Sequence, residues 1–255
     1  PKLTETFENI SVNYGIRAIT LYHKLVLCLF IKESLQEIKN RSLPDSVLEL
    51  YREWFERIFN DLSTLPDEFY DHRKDLFCKD LAVCSLRTIP VGFLVEHSGF
   101  GRKFLFSDGM QQFLDGLLYT ITKMGGFKPF YSIHMDMRYL KRYFNISGWH
   151  FIYHRIAELL ELNPEIRGMI GGSWFYDPKL QDISPNLTHL RETPEKYGGK
   201  VFRIGTSKQD IRLAIANSPI RTKLYLDGKY HPTHYAIVWP RKGLLAWAKD
   251  NPEDN

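Results

Sequence analysis

Apolar residues recur every three or four positions through most of the first 80 residues, a period that predicts a helical region. The clearest helix follows Ser42-Leu-Pro-Asp45, which reads as a capping box with proline in the first turn. Val47, Leu50, Tyr51, Trp54, Ile58 and Leu62 mark its inner face, widened by Phe55 and Phe59. Near Leu81 the pattern changes. Leu81-Ala-Val-Cys-Ser-Leu-Arg87 and Val91-Gly-Phe-Leu-Val-Glu96 predict strands, and Ser98-Gly-Phe-Gly101 predicts a turn into a hairpin partner at Arg102-Lys-Phe-Leu-Phe106.

Helical spacing returns behind Asp108, through Phe113, Leu114, Leu117 and Ile121, and stops at Gly125-Gly126. Pro129-Phe-Tyr-Ser-Ile-His-Met-Asp136 is a strand, followed by helices near 138–144 and 149–162. Ile166-Arg-Gly-Met-Ile-Gly-Gly-Ser-Trp-Phe-Tyr-Asp-Pro178 predicts a central strand. Gly171 and Gly172 mark a close approach, and Ser173, Trp174, Tyr176 and Asp177 emerge where a ligand cleft is expected. Trp174 and Phe175 are expected to be largely buried. Residues 184–191 fit a proline-initiated helix or a short strand equally well. Strands at 200–204 and 234–239, helices near 210 and 220, and a short element at 244–248 complete the chain.

The order predicts an α/β (α+β) fold: a mixed β-sheet flanked by helices behind an N-terminal helical region. Residues 1–80 form that region, 81–249 the sheet domain, and 250–255 a disordered acidic tail. At 255 residues the chain can bury a sizeable core, and 14% aromatic residues predict ring-rich packing. A net charge of +4 is spread without a basic block, so nothing indicates a nucleic-acid partner. Cys28, Cys78 and Cys84 fit neither a disulfide framework nor a zinc motif, which points to a reducing, cytoplasmic compartment. The apolar run at 24–31 is shorter than a bilayer span, so no membrane-spanning segment is expected.

Three patterns carry chemistry. His134 and Asp136 share a strand face. They fit two ligands of a metal site, with His189 or His234 as third, or a base with its orienting carboxylate, or a plain hydrogen-bonded pair. No bound metal is expected, because the intervening helices exclude the scaffold such a site uses. His150, His154 and Glu158 recur on one helical face and fit a metal or a solvated face. Arg203-Ile-Gly-Thr-Ser-Lys208 is a strand, a small-residue loop and a helix start. With Arg212 and Arg221 it reads as an anion site, or as simple capping.

Leu187-Thr-His-Leu-Arg191, Pro194-Glu-Lys-Tyr-Gly-Gly-Lys200, Ser218-Pro-Ile-Arg-Thr-Lys-Leu-Tyr225, Gly228 and the strand at 234–239 together resemble the end of the acetyl-CoA-dependent N-acetyltransferase (GNAT) superfamily. The resemblance implies a strand at 187–191 and a pyrophosphate loop of Gly198, Gly199 and Lys200; the separate anion-site reading places Arg203, Gly205, Thr206 and Ser207 beside it. The resemblance further implies Tyr225 as the acid for the departing thiolate and His189 as a base; the strand-face reading offers His134, oriented by Asp136, as the alternative base. Acetyl-CoA or a longer acyl-CoA would be the co-substrate and a small amine the acceptor. Here a strand at 201–204 follows the loop where the family continues into helix. The segment at 173–178 also resembles uncharacterised bacterial proteins. The other readings are a metal-dependent enzyme and a non-enzymatic binding or effector protein whose N-terminal helices engage a partner.

Overall fold

The computed structural model describes residues 2–216 and 218–253. The chain divides into two compact units, residues 1–95 and 96–255. The first is helical: α1 (Lys2–Glu37), α2 (Asp45–Thr64) and α3 (Asp75–Cys84), followed by β1 (Thr88–Pro90) and the start of β2 (Leu94–Ser98). α1 comprises two helical stretches that meet at Gly15, whose φ of 84° breaks the helix.

α2 buries the predicted positions Val47, Leu50, Tyr51, Trp54 and Ile58, and Phe55 with them. Pro44 is its N-cap, so Ser42 stands two residues before the cap. Asp80 of α3 is 1% exposed and holds the unit together: it accepts from Trp54 Nε1 at 3.0 Å and pairs with Arg57 at 2.6 Å. A buried carboxylate needs such partners, because unpaired it would cost several kcal/mol.

The strand expected at 81–87 is instead the end of α3. Phe77, Asp80, Val83 and Cys84 share its buried face, a helical phase that the short apolar run concealed. By length and composition α1 is apolar enough to cross a membrane, a property that core helices and leader sequences share; only 28% of its most apolar window is buried.

The second unit continues with α4 (Gly109–Tyr119), β3 (Phe130–His134), α5 (Leu140–Tyr143), α6 (Ile146–Leu162) and β4 (Gly168–Ser173). It ends with α7 (Leu180–Ile183), α8 (His189–Lys196), β5 (Lys200–Gly205), α9 (Lys208–Ile215), α10 (Pro219–Leu226), β6 (His234–Pro240) and α11 (Arg241–Asp250). The sheet is six-stranded and mixed, in the order β1-β2-β3-β4-β6-β5. β3 and β4 are parallel; β6 lies between β4 and β5 and is antiparallel to both.

β6 is enclosed between β4 and β5, and the alternation of its side chains feeds two cores. Ala236 and Val238 join Phe100, Leu105, Met124, Phe130 and Phe202 on the face covered by α4. Trp239 packs on the other face with Tyr153 of α6 and Trp247 of α11, ring centroids 5.0–5.9 Å apart.

Arg102–Phe106 is a 3₁₀ turn, not the second strand of a hairpin: it turns Leu105 into the core beneath α4. Residues 187–191 are helical, in the turn Pro185–Leu187 and α8, and do not form the strand that the GNAT resemblance implies. The acidic tail is ordered through Glu253. Asp250 closes α11, Asn251 bonds Trp247 O, and Glu253 accepts from Arg155; residues 254–255 lie outside the described residues.

Candidate functional site at the carboxyl ends of the parallel strands

Open α/β sheets place ligands outside the carboxyl ends of their parallel strands. Here the parallel pair is β3 and β4, joined by a crossover through α5 and α6. The two strands pair through Tyr131 with Met169 and Ser132 with Ile170. β3 runs on to His134 and β4 to Ser173, while β4 pairs along its whole length with β6, Gly168 with Pro240 to Ser173 with Tyr235. The register between β3 and β4 thus stops before their carboxyl ends.

β6 starts and β5 ends at this same edge. The first residue of β6 is His234, and its Nδ1 lies 2.8 Å from Asp210 Oδ1 on α9. Asp210 is held in turn. Ser207 caps α9 by accepting from Asp210 N at 3.1 Å, and its hydroxyl donates to Asp210 Oδ2 at 2.5 Å. A carboxylate accepts only, so Nδ1 is the donor in this bond, and in the neutral ring the lone pair is on Nε2. Nε2 faces β4 at Gly172: a Cβ there would lie 2.8 Å from it. Only glycine leaves room for the ring over the strand. Side-chain exposure is 31% for His234 and 14% for Asp210, which keeps the imidazole accessible and its carboxylate sheltered.

Asp177 fixes the neighbouring loop. After Ser173 the chain turns through Trp174–Tyr176, and Asp177 is 2% exposed. Its carboxylate accepts from Lys179 N at 3.0 Å and from Thr233 N at 3.3 Å, one residue before His234. Burial raises the pKa of Asp177 against these bonds. Phe175 and Tyr176 are buried and Trp174 is half-buried. The Tyr176 hydroxyl lies where a Cβ on Gly171 would meet it at 2.7 Å, beside Ile133 of β3. Burial raises the Tyr176 pKa, so the phenol keeps its proton. Ser173 is 8% exposed and paired with Tyr235.

The other expected residues are engaged elsewhere. His134 Nε2 lies 3.0 Å from Glu96, and Asp136 caps the turn Met137–Tyr139 and grips Arg138 at 2.6 Å. They do not meet, because Asp136 is past the strand end and fully buried. His150 and His154 pack against Trp247, and Glu158 pairs with Arg155 at 3.2 Å. Among the described residues, no three His, Cys, Asp or Glu converge on a metal position.

Gly198 N bonds Glu195 O and Gly199 N bonds Pro194 O, closing the end of α8. These amides are taken, at the negative end of a helix dipole, where a pyrophosphate is disfavoured. Lys200 lies over the Tyr119 and Phe202 rings. Arg203 pairs with Asp108 at 3.0 Å, and Gln112 bonds its backbone N and O. Gly205 forms a bulge with φ 140°. Thr206 is exposed in the loop before α9, where Ser207 holds a carboxylate rather than an external anion. Arg221 bonds Ser184 Oγ and Ala214 O and lies over Trp174.

His189 opens α8; burial lowers its pKa and the nearby His150 lowers it further. Tyr225 meets His231 edge to face at 5.7 Å. The pairing of Asp210 with His234 over Gly172 is not evident in the sequence, where these residues stand in three separate elements. Comparison with protein families, with curated proteins and with solved structures finds no match to this chain.

Proposed function

We propose that the chain is an acyl-CoA-dependent acyltransferase whose ligand enters at the carboxyl ends of β3 and β4 and whose general base is His234. The observation that carries this reading is the Asp210–His234 pair at that edge, its Nε2 free over Gly172. An imidazole whose Nδ1 is bonded to a carboxylate presents Nε2 as a proton acceptor. The strand edges beyond Ser132 and Ile170 offer backbone partners to an extended, amide-bearing ligand such as the pantetheine arm of CoA, as an open sheet edge does for a peptide.

The acceptor amine attacks the thioester carbonyl carbon, a C–N bond forms and the C–S bond breaks. The amine's proton passes to His234 Nε2. The C–S bond breaks as the tetrahedral adduct collapses, and the leaving thiolate takes the proton held on His234 Nε2, which returns the ring to its neutral form. Asp177 acts through position, by fixing Thr233 and so the start of β6.

The test is isothermal calorimetry with acetyl-CoA at low salt, followed by free-thiol release in the presence of a polyamine, an amino sugar and a lysine peptide. Binding, with thiol release that falls at least about 100-fold in His234→Ala, supports the reading, since a general base contributes at least about that factor. No heat with acetyl-CoA or a long-chain acyl-CoA refutes it.

A further inference from the structure

α4 is apolar on two sides, and the second unit covers only one of them. Its inner side is fixed by geometry. Gly116 sits so close to Leu105 and Phe202 that a Cβ would lie 2.5 and 2.9 Å from them. Gln112 bonds both backbone groups of Arg203, and the Tyr119 hydroxyl donates to Gly198 O at 2.7 Å. The helix therefore cannot roll to bury its other side. At 3.6 residues per turn, Met110, Leu114, Leu117 and Leu118 fall within an arc of about 100°. Met110 and Ile121 are 70% exposed, Leu118 63% and Leu114 54%, and Phe106, just before the helix, is 64% exposed. A helix apolar all round is normally buried on all sides.

The charges at its ends indicate what covers it. Arg102 and Lys103 precede α4, and Lys123 and Lys128 follow it; all four are exposed. Of the two acids between them, Asp108 is paired with Arg203 and Asp115 accepts from Gln111. An apolar stripe with unbalanced cations at both ends has the character of a helix that lies in the plane of an anionic bilayer, apolar side down.

We infer that α4, with the turn Arg102–Phe106, binds the surface of membranes that contain anionic phospholipid, Met110, Leu114, Leu118 and Ile121 entering the acyl boundary and the flanking cations meeting the headgroups. This does not depend on the acyltransferase reading, because it concerns the outer side of α4 and no residue of the dyad.

Flotation of the whole chain with vesicles tests it. The chain floats with phosphatidylcholine vesicles containing phosphatidylglycerol, less so in 0.5 M salt, and stays behind with phosphatidylcholine alone. Met110→Asp with Leu118→Asp weakens binding by roughly 100-fold or more, the loss expected for two buried side chains. Lys123→Gln with Lys128→Gln weakens it about 30-fold, each cation near the surface counting for about a factor of five. Circular dichroism confirms that the exposed substitutions leave the fold intact. Leu25→Asp with Leu29→Asp, on the exposed side of α1, leaves binding unchanged.

The inference is overturned if the wild type ignores phosphatidylglycerol vesicles. It is equally overturned if binding survives the α4 substitutions or is lost only with those in α1. A dimer in light scattering that Met110→Asp with Leu118→Asp dissociates would assign the face to a second copy of the chain.

Discussion

Gly172→Ala is the sharpest perturbation of the dyad. Gly172 has no positive φ, so the backbone accepts alanine, and in a strand interior the change alone should stabilise by roughly 0.5–1 kcal/mol. The new Cβ would stand 2.8 Å from His234 Nε2, about 0.6 Å inside ordinary contact. The ring must swing away, and Asp210 sits 2.8 Å behind it. Losing that hydrogen bond to a charged acceptor costs about 1.5–3 kcal/mol. Taken together, Gly172→Ala should destabilise by about 0.5–2.5 kcal/mol. With His234→Ala already present the clash is gone, and the same substitution should stabilise by about 0.5–1 kcal/mol. Urea unfolding of the four proteins closes a double-mutant cycle with a coupling of about 1.5–3 kcal/mol. A coupling below about 0.5 kcal/mol would mean that the imidazole does not lie over Gly172.

Further substitutions test the frame around the site. Gly116→Ala should destabilise by about 1–3 kcal/mol through overpacking against Leu105 and Phe202, seen as a lower urea midpoint. Asp80→Ala should cost about 1.5–3 kcal/mol, since it removes the acceptor of the Trp54 Nε1 bond and one of the two carboxylates on Arg57, which keeps Asp61 at 2.6 Å. His23 is buried, with Nδ1 2.5 Å from Tyr70 O, and burial holds its pKa below 6.5. The unfolded chain therefore binds more protons in that window: the contribution of His23 is complete above pH 6.5 and is lost as pH falls below it. Imidazole NMR should show His23 titrating below 6.5, and a midpoint at or above 6.5 would contradict the burial argument.

Periodicity made α2 and α6 legible because each buries one continuous stripe, and β6 stood out as a short apolar run, buried from Ala236 to Pro240. Periodicity failed where an apolar run was too short to show its phase. Residues 81–87 carry the end of α3, and 102–106 form a turn that drives Leu105 inward, although both read as strands. The GNAT-derived pyrophosphate loop misled for a different reason. Tyr197-Gly-Gly199 is a helix end, and a glycine pair that closes a helix looks in sequence like one that cradles a phosphate. The central Gly-Gly strand did mark a close approach. Its visitors, the imidazole of His234 and the phenol of Tyr176, come from elements that local pattern cannot place in register. His134 and Asp136 illustrate the converse: spacing put them on one face, but the strand ends between them and each finds a nearer partner.

The most direct test of the central claim is amide hydrogen exchange of the whole chain with and without saturating acetyl-CoA. Entry of the ligand at the carboxyl ends of β3 and β4 predicts slowed exchange in residues 133–148 and 171–174, with 198–200 unchanged. Protection confined to 198–200, or none anywhere, would contradict it.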